Sequence, residues 1–267
     1  AKADATTTDE QRYNLYYIKG YSYLLAGEYF RALPVENGGE VKGWKENLNL
    51  AISTFTEALK FTSDTDETAF INTLIARAYY RLGNKVNAVK YASNVLTLST
   101  DFTKQVTFDG ENNVISSIQG YIYGTNFQPL PRLDFLDPKY FQTKAKEARP
   151  ICIAKAEEPY LILAEAALAD NDVNGAKGFL KTLLTLVSNR PVATDINDQL
   201  EGRYNGGYKE YPNSSEYRVA ASSEDEFRSG LVLDRQSPHL ISVPYISGTS
   251  VTEEMIDAPT TVDGLLE

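Results

Sequence analysis

The chain has 267 residues, of which 42% are hydrophobic and 23% charged, a composition typical of a folded protein. Its 26 basic and 36 acidic side chains give a formal net charge of −10, which repels phosphate backbones, so we expect no nucleic-acid partner. Cys152 is the single cysteine and His239 the single histidine. An internal disulfide is therefore impossible, a Cys/His zinc site is close to excluded, and we predict neither a metal nor a cofactor.

Helical periodicity dominates the first hundred residues and predicts four helices, at about 10–30, 45–61, 66–82 and 86–98. Thr8 and Asp9 are the candidate N-caps of the first helix. Residues 31–43 are expected to be irregular, because Pro34 and the Gly38-Gly39 pair interrupt regular structure. Gly83 is expected to close the third helix in the left-handed conformation.

Residues 155–191 predict two further helices joined by a polar turn, and their pattern repeats an earlier one. After Gly83-Asn84, the small residue Ala88 is followed by Ala92, Val95 and Leu96; after Asn171-Asp172, Ala176 is followed at the same offsets by Leu180, Leu183 and Leu184. Ala51, Phe55, Ala58 and Leu59 share the spacing. A small residue at the first site lets two helices approach closely, which is typical of the second helix of tetratricopeptide-type repeats.

The predicted fold is mainly α: stacked tetratricopeptide-like helix hairpins with long irregular loops and one short β-hairpin. We expect a single domain over residues 1–267, with a helical scaffold at 8–98 and 155–191 and loop-rich regions at 99–154 and 192–267. Leu231–Leu233 and Leu240–Val243 are candidate strands, Pro159 fits the first turn of a helix, and Cys152 is expected to be a buried small hydrophobe. Long loops on a compact scaffold more often carry function than not.

Catalytic patterns are weak in this sequence. It has no Gly-Lys-Ser/Thr phosphate loop, no dinucleotide glycine fingerprint and no Gly-x-Ser-x-Gly elbow. The acidic groups Glu157-Glu158, Glu224-Asp225-Glu226 and Glu253-Glu254 could supply paired carboxylates, but helix starts explain the first two equally well. Asp170, Asp172 and Asn174 could bind calcium, although a helix–helix turn accounts for them.

Binding by aromatic side chains is the stronger prediction. Aromatic faces stack on the apolar faces of sugar rings while neighbouring polar groups bond the hydroxyls. The chain has 18 Tyr and 11 Phe but one Trp. The candidate ligand-binding residues, all expected in loops, are Trp44, Tyr121, Tyr123, Phe127, Tyr204, Tyr208 and Tyr211.

Several segments between residues 8 and 191 resemble, in the same order, the elements of one known protein family. The segment Glu157–Leu168 reads EEPYLILAEAAL, and it is followed by a helix that ends at Asn189-Arg190-Pro191. This segment is similar to the E-x-YLI-x-AEA helix of the SusD/RagB family. The segment Pro131–Phe135 resembles a Pro-Arg-Leu/Tyr segment just upstream, and the first long helix and the hairpin around Gly83 resemble further family elements. The family's late block is reduced here to EDEFRSGLVLDR.

The resemblance implies a non-catalytic nutrient-binding lipoprotein on the outer face of the outer membrane of Bacteroidetes-type bacteria. Such proteins bind glycans or other nutrients and deliver them to a SusC-like TonB-dependent transporter. We expect a short member or a piece of a longer one, anchored by a lipid on a cysteine upstream of residue 1. The family's ligand loops vary so widely that it assigns no binding residue here.

Two other functions stay open. A tetratricopeptide-type scaffold that binds a protein or peptide would use a groove lined by helix residues. A surface glycoside hydrolase would need two carboxylates facing each other across a cleft.

Overall fold

The computed structural model describes residues 6–109, 111–112, 114–117, 150–197 and 240–266. The chain forms two compact units. The first comprises Ala1–Lys104, Cys152–Asn189 and Thr249–Glu267, and the second comprises Gln105–Ile151 and Arg190–Gly248.

The first unit is built from helices that pack mainly against their neighbours in the chain. The helices are α1 Asp9–Tyr29, α2 Trp44–Ala58, α3 Thr65–Arg81, α4 Lys85–Leu98, α5 Glu157–Ala169 and α6 Val173–Ser188, with a 3₁₀ turn at Leu59–Phe61. Helix α1 packs on α2, α3 on α4, and α5 on α6, and the successive hairpins contact each other through α2–α3 and α4–α5. This confirms the mainly α prediction and is compatible with a tetratricopeptide-like arrangement.

The turns of the second and third hairpins have the same backbone geometry. Gly83 and Asn171 adopt positive φ angles of 71° and 61°, and the N-caps Asn84 and Asp172 share φ of −89°. In each turn the cap's amide donates to a carbonyl five residues back, over 2.9 Å: Asn84 to Tyr79 and Asp172 to Ala167. The expected left-handed closure at Gly83 is therefore confirmed, and Asn171 takes the equivalent position in the third hairpin.

Helix starts follow the sequence signals. The Thr8 hydroxyl accepts from the Gln11 amide at 3.2 Å, while the Gln11 side chain accepts from the Thr8 amide at 3.0 Å, which forms a complete capping box. Pro159 lies in the first turn of α5, where its missing amide proton costs no helical hydrogen bond.

Residues 32–43 form a β-hairpin, so the prediction of an irregular segment there was wrong. Strand β1, Ala32–Pro34, pairs antiparallel with β2, Val41–Gly43. In a two-stranded ribbon every strand is an edge strand, where Pro34 is tolerated. Gly38, with φ of 72°, supplies the left-handed residue that its connecting loop uses.

The main core lies between α1, α2 and α3 and consists of aromatic and aliphatic side chains. Tyr16 stacks on Phe61 at 5.7 Å between ring centroids, and the edge of Tyr17 meets Phe70 at 5.1 Å. A second cluster joins α3 and α4 to α5. The alanines predicted to allow close helix approach, Ala51, Ala88 and Ala176, are at most 2% exposed. Fully buried side chains in the main core include Leu24, Leu48, Phe55, Phe70, Ile71, Leu74 and Ile75.

Two partly buried polar clusters fix other elements onto this core. The Arg77 guanidinium donates to both oxygens of Glu158 at 2.5 Å and to the Ile153 carbonyl at 3.2 Å, which joins α3 to α5. Glu67 accepts from the Tyr13 hydroxyl and from the Lys104 ammonium. Burial and this carboxylate raise the pKa of Tyr13 far above its ordinary value.

The C-terminal residues fold onto α6. A short helix α7, Glu253–Asp257, buries Ile256, and the Lys181 ammonium contacts Asp257 at 2.8 Å and Glu253 at 3.2 Å. A further short helix, α8, spans Val262–Leu266. The sequence did not predict these helices, because one turn carries too little periodicity to detect.

The remaining strands form two small sheets. Strands β3, Thr103–Val106, and β4, Ile151–Lys155, pair with each other. Cys152 lies in β4 and is partly exposed rather than buried. In the second unit, β5, Val192–Asn197, pairs antiparallel with β6, Leu240–Pro244, which confirms the predicted strand at Leu240–Val243. The candidate strand Leu231–Leu233 lies outside the described residues, and among those described no helix is both long and apolar enough to cross a bilayer.

Candidate ligand-binding cleft at Trp44

Trp44 is the one predicted binding residue that the structure describes, and it begins a helix rather than lying in a loop. Its amide donates to the Arg31 carbonyl over 3.0 Å, which closes the base of the β1–β2 hairpin. Just before it, the Gly43 amide donates to the Glu46 side chain at 3.0 Å and so starts α2. The hairpin therefore fixes Trp44 beside the end of α1.

Two glycines in α1 let this helix approach α2 closely. A Cβ on Gly27 would lie 2.7 Å from the Leu48 side chain and 2.9 Å from the Trp44 carbonyl oxygen. A Cβ on Gly20 would lie 2.7 Å from the Phe55 ring. Neither close contact was predicted, although a glycine inside a helical pattern often has a packing reason.

A cleft of about 360 Å³ opens next to Trp44, where α1, the hairpin and α3 meet. Two of its aromatic side chains are strongly exposed, Tyr29 at 75% and Phe30 at 53%, whereas Trp44 is half-buried. Exposed aromatic surface of this extent is available for a ligand to cover. The lining residues are Gly27, Glu28, Tyr29, Phe30, Arg31, Trp44 and Arg81.

The cleft also contains both signs of charge. The Glu28 side chain is 12% exposed, and its Oε1 lies 3.8 Å from Nε of Arg81. Burial raises the pKa of the Glu28 carboxyl, against the lowering effect of Arg77 and Arg81. The Lys45 ammonium lies 5.3 Å from the centre of the Trp44 ring. Of the part of the chain that the structure describes, two arginines, one glutamate and three aromatic residues thus line the same space. These residue types occur together in sites that bind a polar ring-shaped ligand.

The other six aromatic candidates lie outside the described residues, as do His239 and the acidic run 224–226. They are Tyr121, Tyr123, Phe127, Tyr204, Tyr208 and Tyr211.

Four of the six described acidic candidates have structural partners as follows. Glu158 bonds Arg77, Glu253 contacts Lys181, and Asp170 pairs with Lys85. Asp172 caps α6 by accepting from the Gly175 amide at 2.8 Å. Within the described ranges, no three His, Cys, Asp or Glu side chains are grouped to hold a metal ion. The structure thus provides a structural role for each of these acidic residues.

A second groove, which we term the Tyr80 groove, lies between the second and third hairpins. It also has a volume of about 360 Å³ and an apolar floor that includes Ala88, Ile162 and Ala166. On its rim the Tyr80 hydroxyl donates to Glu165 at 2.8 Å. Helix residues and the α3–α4 turn form this groove.

No protein-family model matches this chain, and neither a curated protein nor a solved structure gives a significant match.

Proposed function

We propose that the protein binds a nutrient, most simply a glycan, without transforming it. The observation that carries this proposal is the Trp44 cleft, which combines one half-buried and two exposed aromatic rings with arginine donors and a carboxylate acceptor. A sugar ring offers apolar C–H faces to the aromatic rings and hydroxyls to the charged groups.

The cleft is well suited to binding because its parts are held by the scaffold. The Arg31–Trp44 backbone hydrogen bond and the close contact of α1 with α2 at Gly27 hold the backbone of Trp44 and of the end of α1 in place before a ligand arrives. A backbone that is already ordered costs little conformational entropy on binding.

Delivery to a SusC-like TonB-dependent transporter, from a lipid-anchored position on the outer membrane, is the cellular part of the proposal. It rests on the sequence resemblance of residues 8–191 to SusD/RagB proteins. The mainly helical fold is compatible with it.

Isothermal titration calorimetry against a panel of oligosaccharides tests the binding proposal. We expect micromolar to millimolar affinity for at least one oligosaccharide, and we expect Trp44→Ala to weaken it by tenfold or more, about 1.4 kcal/mol. Tyr80→Ala, which removes an exposed aromatic from the other groove, is the matched control and should leave the affinity unchanged.

Failure of every oligosaccharide to bind would contradict the proposal. So would the release of reducing ends, which would identify a hydrolase. One carboxylate, that of Glu28, lies among the described residues lining the cleft, and the usual glycosidase mechanism uses two.

The Tyr80 groove favours one second candidate, a scaffold that binds an extended or helical peptide. Its apolar floor and the polar pair of Tyr80 and Glu165 are formed by helices, as that function requires. A peptide-display selection followed by titration would test it: a selected peptide should lose binding on Ala166→Glu but not on Trp44→Ala.

A further inference from the structure

The charge around Trp44 is opposite in sign to that of the whole molecule. The chain carries 26 basic and 36 acidic side chains, a net charge of −10. Among the described residues that line the cleft, however, Arg31 and Arg81 are cationic and Glu28 is the one acidic residue, and the Lys45 ammonium lies 5.3 Å from the centre of the Trp44 ring. This local excess of positive charge indicates the kind of ligand that the cleft would prefer.

Arg31 is the residue best placed to use this charge. Its carbonyl accepts a hydrogen bond from the Trp44 amide, so its backbone is fixed next to Trp44, and its side chain is exposed at the cleft. Among the residues that the structure describes, no carboxylate forms an ion pair with Arg31. Nε of Arg81 lies 3.8 Å from Oε1 of Glu28, which is too far for a direct hydrogen bond between these atoms. This ion pair therefore constrains the Arg81 side chain only weakly.

We infer that the ligand of the Trp44 cleft carries a carboxylate, and that the protein prefers acidic, uronate-bearing oligosaccharides over neutral ones. This inference rests on the proposed glycan-binding function. A guanidinium presents paired N–H donors that match the two oxygens of a carboxylate. Arg31 and Arg81 both line the cleft. The aromatic rings would then contact the sugar ring to which the carboxylate is attached.

The net charge of the protein does not oppose this preference strongly. At an ionic strength of 0.1 M, charges more than about 10 Å apart are largely screened. Among the described residues, two further carboxylates act near the cleft, but each has a cationic partner: Glu158 bonds Arg77, and Glu46 lies 3.8 Å from Lys42. Acidic side chains beyond the screening length act weakly on a ligand in the cleft. The same reasoning predicts that the preference for the acidic ligand declines as salt is added.

A matched pair of probes tests the inference by calorimetry: an oligogalacturonate and the same oligosaccharide after its carboxyl groups have been reduced to alcohols. For the unchanged protein we expect the acidic probe to bind at least tenfold more tightly. Arg31→Gln should remove most of that difference. Lys90→Gln, which deletes one exposed positive charge on α4, is the matched control and should preserve it.

Glu28→Gln is a second variant, for which the expected result is a gain of affinity. A gain of affinity cannot result from loss of folded protein. Removing this negative charge from the cleft should increase affinity for the acidic probe and leave the reduced probe nearly unaffected. Equal binding of the two probes by the unchanged protein would overturn the inference while leaving glycan binding intact. Binding of neither probe, with no binding to any other glycan, would instead overturn the proposed function.

Discussion

Gly27 is the residue on which the shape of the cleft most depends. The neighbours that a Cβ would meet are the buried Leu48 side chain and the Trp44 carbonyl, and a backbone atom cannot move aside as a flexible side chain can. The helices must therefore separate if this position gains a side chain.

We predict that Gly27→Ala lowers the free energy of unfolding by about 1–3 kcal/mol, because it overpacks the α1–α2 contact. Gly178→Ala is the control: it lies in helix α6 with open space around its Cβ position, and it should be neutral or stabilising. Urea unfolding followed by circular dichroism measures both. If the Gly27→Ala protein were as stable as the Gly178→Ala protein, α1 and α2 would not approach each other closely at Gly27.

Glu28 carries an electrostatic cost that depends on pH. Burial raises the pKa of its carboxyl in the folded protein above the ordinary value of 4.5. Well below pH 4.5 the carboxyl group is protonated in the folded and the unfolded states alike. As pH rises from there through the raised folded pKa, the unfolded chain ionises first, so the free energy of unfolding falls.

We therefore predict that the stability of Glu28→Gln relative to the unchanged protein rises between pH 4 and pH 7, since glutamine has no charge to desolvate. Urea unfolding at a series of pH values measures the difference. A difference that stays constant, or that declines with rising pH, would show that the carboxylate is not disfavoured in the fold.

Helices were the elements that the sequence predicted best. Their apolar spacing, the capping box at Thr8 and the Gly83 turn are local signals, and the structure places each as expected. The β1–β2 hairpin was not predicted, because it depends on pairing between two segments that are separated in the sequence. In the sequence, Pro34 and Gly38 indicate an interruption of regular structure. Only the pairing of β1 with β2 shows that Pro34 lies on an edge strand and Gly38 in a turn.

The ion pair of Arg77 and Glu158 joins the second hairpin to the third, and its removal tests how strongly the two hairpins are held together. Both side chains are at most 25% exposed, and Arg77 also donates to a backbone carbonyl. Partial burial reduces screening by water, while loss of one partner leaves the other without its hydrogen bonds.

We predict that Arg77→Met costs about 1–3 kcal/mol of unfolding free energy and that a double-mutant cycle with Glu158→Gln gives a favourable coupling. The control pair, Lys60 and Glu57, is 58% and 44% exposed and should show a coupling of about 0.5 kcal/mol or less. Equal coupling energies for the two pairs in urea unfolding would contradict the prediction that the partly buried pair contributes more than the exposed one.

For the whole molecule, the sequence predicted the mainly helical fold and one residue of the cleft. It did not predict the cleft itself, because Glu28 lies in α1, Arg31 precedes the hairpin and Arg81 ends α3, and their meeting depends on tertiary packing. Trp44 was selected for its ring chemistry, which sequence shows directly, but was assigned to a loop because the hairpin before it was not recognised.

Trp44 is also the single tryptophan of the chain, so tryptophan emission reports on this cleft alone. The most direct test of the account is therefore a fluorescence titration of the unchanged protein with an oligosaccharide that calorimetry shows to bind. We predict a saturable change in tryptophan emission with the same dissociation constant as calorimetry gives. Heat of binding without any change in that emission would place the ligand elsewhere and contradict the assignment of the cleft.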